Sequence, residues 1–234
     1  MTTDRQPKAN ERRHDRLAMY RAMRDSVPGL DAMYWVMSAL VASYAEARAR
    51  VLIVGAGGGR EIEKLLQNNI AVEITAVDPS ARNLETARLA AEACPSKSNV
   101  TFIAGKAEDL PRGSSFDVAT SLLVMHHISD DGAKLAYLRS IRDRLVPGGL
   151  LIHADVCVAR VEDFDHLIPA YRKYAQHVGT CPDATRLELE AIAQLPVASD
   201  ERTRALFSEA GLIEPQEVFR TLWYRCWISK RNPP

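Results

Sequence analysis

The spacing of apolar residues changes once along this chain, and the change divides it. Leu17, Met19, Tyr20 and Met23 follow a helical pattern that breaks at Pro28-Gly29. A second helix is predicted over residues 31–48, with Met33, Val36, Met37, Leu40 and Val41 on one face and Asp31 placed to cap its start. The period then shifts. Val51-Leu52-Ile53-Val54 is a short, β-branched run ended by glycines, the pattern of a strand buried on both faces. Beyond it, helices predicted at 61–68, 81–93 and 132–145 alternate with strands at 72–77, 100–104, 117–124 and 150–154. The third of these helices is expected to end at Pro147-Gly148-Gly149. A mostly helical stretch at 162–195 interrupts the alternation, a helix at 201–210 ends on Gly211, and strands at 214–220 and 222–229 close the chain as a hairpin. Alternation with short apolar strands predicts an α/β fold around a mostly parallel sheet.

Composition narrows this picture. At 234 residues the chain has room for one large domain with an inserted cap and needs no disulfide or metal to hold a core. Thirty basic residues cancel thirty acidic ones, so no global field draws the protein to DNA or to an anionic membrane, and no apolar run reaches the ~20 residues of a membrane span. Seven basic residues against three acidic ones through Arg24 read as a solvated helix face rather than an RNA-binding patch. Cys94, Cys157, Cys181 and Cys226 lie far apart with no C-x-x-C pair, which excludes zinc spacing and predicts four buried thiols in a reducing cytoplasm. The polar first ten residues carry no apolar core of a secretory leader.

The chemistry is concentrated in Val54-Gly55-Ala56-Gly57-Gly58-Gly59-Arg60-Glu61. A strand leading through a glycine loop into a helix is where an open α/β sheet holds nucleotide-like ligands, because glycines let the backbone approach and helix-start N–H groups face the ligand. Asp78, at the end of the next strand, is placed to accept hydrogen bonds from both hydroxyls of a ribose. The dinucleotide pattern G-x-G-x-x-G would need glycine where Arg60 stands, which argues against a nicotinamide dehydrogenase.

The spacing G-x-G-x-G resembles the class I S-adenosylmethionine (SAM)-dependent methyltransferases. Four further stretches resemble that family in order and spacing: Gly105-Lys106-Ala107-Glu108-Asp109-Leu110-Pro111, Ser115-Phe116-Asp117, Leu123-Val124-Met125-His126-His127-Ile128 and Leu145-Val146-Pro147-Gly148-Gly149. Similarity is close over residues 51–156 and loose over the closing hairpin. It implies a Rossmann-like core at 49–234, with a seven-stranded, mostly parallel sheet whose last strand is antiparallel. It also implies an N-terminal helical lid at 1–48 and a helical insertion at about 160–198. The implied cofactor is SAM, with S-adenosylhomocysteine as product. By resemblance Gly55, Ala56 and Gly57 line its methionine end, Asp78 holds the ribose and Pro79 lies against the adenine. Lys106 and Ala107 stand at the adenine edge, Leu122 meets the sulfonium region and Tyr20 lies near the carboxylate. Lys106 departs from the family's usual Asp or Asn, and lysine has no acceptor to offer the adenine amino group.

Arg24-Asp25-Ser26-Val27-Pro28-Gly29-Leu30 and the segment from Ala210-Gly211-Leu212 through Trp223-Tyr224-Arg225-Cys226-Trp227 resemble one branch in particular, the one containing carboxy-SAM synthase of tRNA wobble-uridine modification. That synthase's tyrosine falls on Leu30 and its arginine on Leu206, with Arg204 two residues away. Leucine cannot replace a bidentate carboxylate clamp. An ordinary methyl donor and a small-molecule O or N acceptor are therefore the expectation, with a carboxy-SAM or tRNA-modification role, or a non-catalytic SAM-binding protein, as alternatives. His126 and His127 follow the fourth strand, and His153 and Asp155 share a face of the fifth. His127, His126 and Asp155 are the catalytic candidates, since histidine is a base suited to neutral pH. His14, His166 and His177 are read as solvated. Tyr20, Tyr34, Trp35, Phe164, Tyr171 and Tyr174 could line an acceptor pocket or pack the cap. The branch also makes a homodimer plausible.

Overall fold

A computed structural model describes residues 25–45, 48–94, 98–111 and 113–233. Seven strands form one sheet: β1 (Arg50–Val54), β2 (Glu73–Asp78), β3 (Asn99–Ala104), β4 (Phe116–Leu122), β5 (Leu145–Val156), β6 (Gln216–Thr221) and β7 (Tyr224–Lys230). Their order is β3-β2-β1-β4-β5-β7-β6. The first five run parallel, with Ile53 opposite Ala76 on one side and Thr120 on the other. β7 pairs antiparallel with β5, placing Trp227 beside His153 and Arg225 beside Asp155, and β6 pairs antiparallel with β7 at the edge.

The helices are α1 (Leu30–Tyr44), α2 (Arg60–Gln67), α3 (Ala81–Glu92), α4 (Ala133–Arg142), α5 (Val161–His177), α6 (Pro182–Ala193) and α7 (Asp200–Glu209). Strand alternation divides the core between the two faces. Val51 and Ile53 of β1 join the cluster containing Met33, Met37, Ile62 and Leu65, whereas Leu52 and Val54 join the one containing Leu138, Ile141, Leu206 and Phe207.

Three expectations need correction. Asp31 does not cap α1; Gly29 holds that position in a left-handed conformation, and Asp31 turns outward to two cations. Pro147-Gly148-Gly149 does not end a helix but lies inside β5, where the register with β4 shifts between Phe116 and Val118. The extra residues leave the ladder there, which tolerates the missing proline N–H. Of the four free cysteines only Cys157 and Cys226 are buried; Cys94 is half-buried and Cys181 is exposed. Cys181 escapes burial because it precedes the first turn of α6 at the cap surface. Leu17, Tyr20 and His14 lie outside the described residues.

Two sets of contacts tie the helices outside the alternating core to it. On one side, Arg60 reaches Asp25 and Asp31 at 3.0 Å each, and Lys64 reaches Asp31 at 3.1 Å. The same cations stand over aromatic rings of α1, Arg60 at 5.0 Å from the Tyr34 centroid and Lys64 at 4.5 Å from that of the half-exposed Trp35. On the other, Phe164 and Tyr171 of α5 pack on Trp223. Tyr171 shares a hydrogen bond with Ser26 at 2.9 Å, and buried Tyr224 donates to Glu188 of α6 at 2.8 Å. Tyr34, Phe164 and Tyr171 are thus buried packing residues.

Candidate active site

The C-terminal ends of β1, β2, β4 and β5 converge, as parallel strands require, on the edge where the glycine loop lies. Gly55 and Ala56 donate their N–H groups to the Val77 carbonyl at 2.9 and 3.0 Å, which sews the loop to the end of β2. Gly57 donates to Asp78 Oδ2 at 2.9 Å. The glycines differ in duty. Gly55 (φ +79°) lies so close to Val124 that a Cβ would meet its methyl carbon at 2.4 Å, and at Gly59 (φ +81°) a Cβ would meet Ala87 Cα of α3 at 2.7 Å. Gly57 (φ +51°) has open space on its Cβ side down to a carbonyl at 3.7 Å. Gly59 is therefore a packing glycine, whereas Gly57 is not crowded by any neighbour.

Asp78 is buried, and its Oδ1 accepts from the Ser80 N–H at 2.8 Å while the Asn83 amide donates to both oxygens at 3.2 and 3.3 Å. The carboxylate is thereby fixed in direction beside exposed Pro79. Across from it, Gly105 donates to the Asp78 carbonyl, and Ala107 is buried in the turn that follows. Lys106 points to solvent with 67% of its side chain exposed, its ammonium 3.5 Å from Glu108, while its N–H donates to Asp109.

β4 ends in an unusual backbone. Leu122 is buried, and Leu123 takes φ +62° while donating to the Ala154 carbonyl at 2.7 Å. Non-glycine residues seldom adopt that conformation, and it turns the chain sharply out of the sheet. One 3₁₀ turn, Met125–His127, follows. It leaves His126 buried and His127 exposed, with their Nε2 atoms 3.1 Å apart. Asp155 of β5 bonds His126 Nδ1 and accepts the His126 backbone N–H at 3.2 Å. The three catalytic candidates thus form a row from buried carboxylate to exposed imidazole. His153 lies behind it, 3.9 Å from Asp155 and bonded through Ser121 to Tyr137. Burial lowers the His153 pKa to about 4 and pushes the Tyr137 hydroxyl well above its usual range. His166 and His177 are exposed on α5 and take no part.

Three groups near this row, two buried and one half-buried, were not singled out by the sequence. Lys134, fully buried on α4, donates to the Met125 carbonyl at 2.7 Å. It has a sequence signal: it shares a stripe with Leu138 and Ile141, where an apolar residue belongs. Tyr137 is the half-buried one. Glu61 has no such signal, because an acid in a first helical turn reads as a partner of the helix dipole. It is buried beneath the sheet and burial raises its pKa to about 8. The residues aligned with carboxylate recognition do not serve it here: Leu30 and Leu206 are fully buried, and Arg204 is held by Asp200 at 3.1 Å and the Pro215 carbonyl at 2.9 Å.

Residues 51–149 match the family described as a methyltransferase domain. Ubiquinone biosynthesis O-methyltransferase of Cereibacter sphaeroides (strain ATCC 17025) is 36% identical over 104 residues, which is 44% of this chain and 39% of that enzyme. The chain thus spans less than half the length of the curated relatives it matches. Among solved structures, Burkholderia thailandensis 1,6-didemethyltoxoflavin-N1-methyltransferase, with 1,6-didemethyltoxoflavin and S-adenosylhomocysteine bound, superposes with a TM-score of 0.59 at 21% identity, covering 99% of this chain and 93% of that one. N-methyltransferase NodS from Bradyrhizobium japonicum, also holding S-adenosylhomocysteine, gives 0.60 at 15% identity over 93% of this chain and 97% of that one. Residues 51–149 thus match a methyltransferase domain, and the fold around them is the one these solved methyltransferases share.

Proposed function

We propose that this protein transfers the methyl group of SAM to an oxygen or nitrogen of a small molecule, with His127 taking the proton that the acceptor gives up. The reading rests on one observation: the buried Asp155–His126 pair ends in an exposed His127 ring at the mouth of β4, next to the glycine loop. The local structure fits the cofactor. Gly57 leaves space that a side chain would enter, and Asp78 holds its oxygens at the end of β2. Gly55, Ala56 and Gly57 would hold the methionine end, Asp78 the ribose by exchanging its bonds with Asn83, Pro79 and Ala107 the adenine, and Leu122 the wall near the sulfur. Lys106 would contribute its backbone rather than its outward side chain, and Tyr20 is the candidate from the N-terminal segment. When bound, SAM would supply a methyl group carried on a sulfonium, leaving as S-adenosylhomocysteine once the methyl is transferred.

What the chain adds is position and proton transfer. Asp155 fixes the tautomer of His126 by accepting from Nδ1, which leaves His126 Nε2 to accept from His127. As the acceptor's oxygen or nitrogen gains the methyl, its proton passes to the His127 ring, and the imidazolium is stabilised through His126 by the Asp155 carboxylate. One relative is named as an O-methyltransferase of ubiquinone biosynthesis and one neighbour as the N1-methyltransferase of the 1,6-didemethyltoxoflavin it holds, and a small-molecule acceptor suits the reading. The helical lid and the insertion at about 160–198 would shield the methyl group from water.

The test is calorimetric titration with SAM, followed by transfer of radiolabelled methyl to a panel of phenols, catechols and heteroaromatic amines. His127→Ala is expected to keep SAM affinity and lose about 100-fold in transfer. Unchanged transfer would remove His127 from its role, and failure of the wild type to bind SAM would sink the whole reading.

A further inference from the structure

Lys134 is a costly side chain to place where it is. It is fully buried, which strips its ammonium of water, and it sits in the first turn of α4, where the helix dipole repels a cation. Burial lowers its pKa, opposed by Asp155 and Asp130. Its hydrogen bond to the Met125 carbonyl explains the expense. Met125 C=O and His126 N–H belong to one peptide plane, whose carbonyl end meets Lys134 at 2.7 Å and whose N–H end meets Asp155 at 3.2 Å. Asp155 then bonds the ring of the same His126. A cation and a carboxylate grip one peptide from its two ends.

We propose that Lys134 is a positioning residue for the histidine pair: by clamping the Met125–His126 peptide against Asp155 it fixes the direction of His126 and sets a cation where it opposes a second positive charge on the pair. The proposal rests on the reading of His127 as the base. The groups facing this clamp among the described residues are Asp155 and His153 of β5, Cys157 just after it, Asp130 ahead of α4, His126 and His127 of the turn, and Arg202 of α7, which holds Asp130 at 2.8 Å. Of the two carboxylates, Asp155 acts on the ammonium more strongly than Asp130, which Arg202 holds, and the ammonium in turn disfavours charge on His153. A nearby cation disfavours a second positive charge, and removing it makes imidazolium easier to form.

The experiment is ring ¹⁵N NMR of the full chain labelled at histidine, followed from about pH 5 to 9. Lys134→Met removes donor and charge; Lys134→Gln keeps an N–H for the Met125 carbonyl and removes only the charge. Both are expected to raise the midpoint at which the His126 and His127 rings titrate by about one pH unit, a tenfold gain in proton affinity. A filler role for Lys134 would leave that midpoint where it is, and an unmoved midpoint in both variants overturns the proposal. If the variants do not fold, the wild-type Lys134 ¹⁵Nζ resonance decides: an ammonium at pH 7 supports the clamp and a neutral amine overturns it. A shifted midpoint together with a His127→Ala enzyme that still transfers methyl would remove the base and leave the clamp standing; the opposite pair of results would remove the clamp alone.

Discussion

Gly57 and Gly59 are two residues apart, share positive φ, and should fail differently when substituted. Gly59→Ala places a methyl 2.7 Å from the Ala87 backbone, so α3 must move, and about 2 kcal/mol or more of stability should be lost with a lower melting temperature. Gly57→Ala meets nothing closer than 3.7 Å and should cost about 1 kcal/mol through its backbone alone, while weakening SAM binding tenfold or more in calorimetry. Glu61 and His153 make the residue scale visible in pH. Glu61 has its folded pKa raised from 4.5 to about 8, so its contribution is complete below pH 4.5 and is lost as pH rises toward 8. His153 has its folded pKa lowered from 6.5 to about 4, so its contribution is complete above pH 6.5 and is lost as pH falls toward 4. Between 4.5 and 6.5 the two slopes oppose each other. Melting temperature should therefore be nearly flat in that window and decline above it, and Glu61→Gln should flatten the decline by several degrees. The sequence showed His126, His127 and Asp155 because short strands point at their own ends. It hid Glu61, since an exposed helix start and a buried one share the same spelling.

Among the elements, the order of strands and helices was readable throughout, because each apolar run is bounded by glycine, proline or a charge. The errors came where tertiary contacts overrode local signals. Asp31 has the right chemistry for a cap, but Arg60 and Lys64 on α2 offer it two charges instead of one backbone N–H. Pro147 looks like a helix stop, yet it tolerates a strand because the register shift leaves no ladder bond for it to break. The latch between α1 and α2 has a measurable strength. Asp31→Asn removes the anion shared by two cations whose side chains are only 16% and 13% exposed, and should lower stability by about 1 kcal/mol, seen as a fall of about 2–4 °C in calorimetry. At the other latch, Tyr224→Phe leaves Glu188 buried without that donor and should cost about 1–3 kcal/mol, more than the exposed pairs elsewhere.

At the scale of the molecule, the sheet does two jobs with one architecture. Its parallel half delivers the loop, Asp78 and the histidine turn to a single edge, and its antiparallel end brings Trp223 and Tyr224 across to anchor α5 and α6. If SAM or its product binds the folded state alone, 100-fold excess over Kd should add about 2.7 kcal/mol and raise the melting temperature by about 5–10 °C. No helix among the described residues is long and apolar enough to cross a membrane. The chain contains three tryptophans, and their placement makes the protein its own optical probe. Trp223 and Trp227 are sealed inside at 2% and 0% exposure, whereas Trp35 is 41% exposed under the Lys64 ammonium on the helix that the latch holds. Iodide should thus extinguish one emitter and spare the other two. The quenched share of the fluorescence then tracks α1 alone, so whether that helix moves when a ligand is added can be watched by light without attaching a dye.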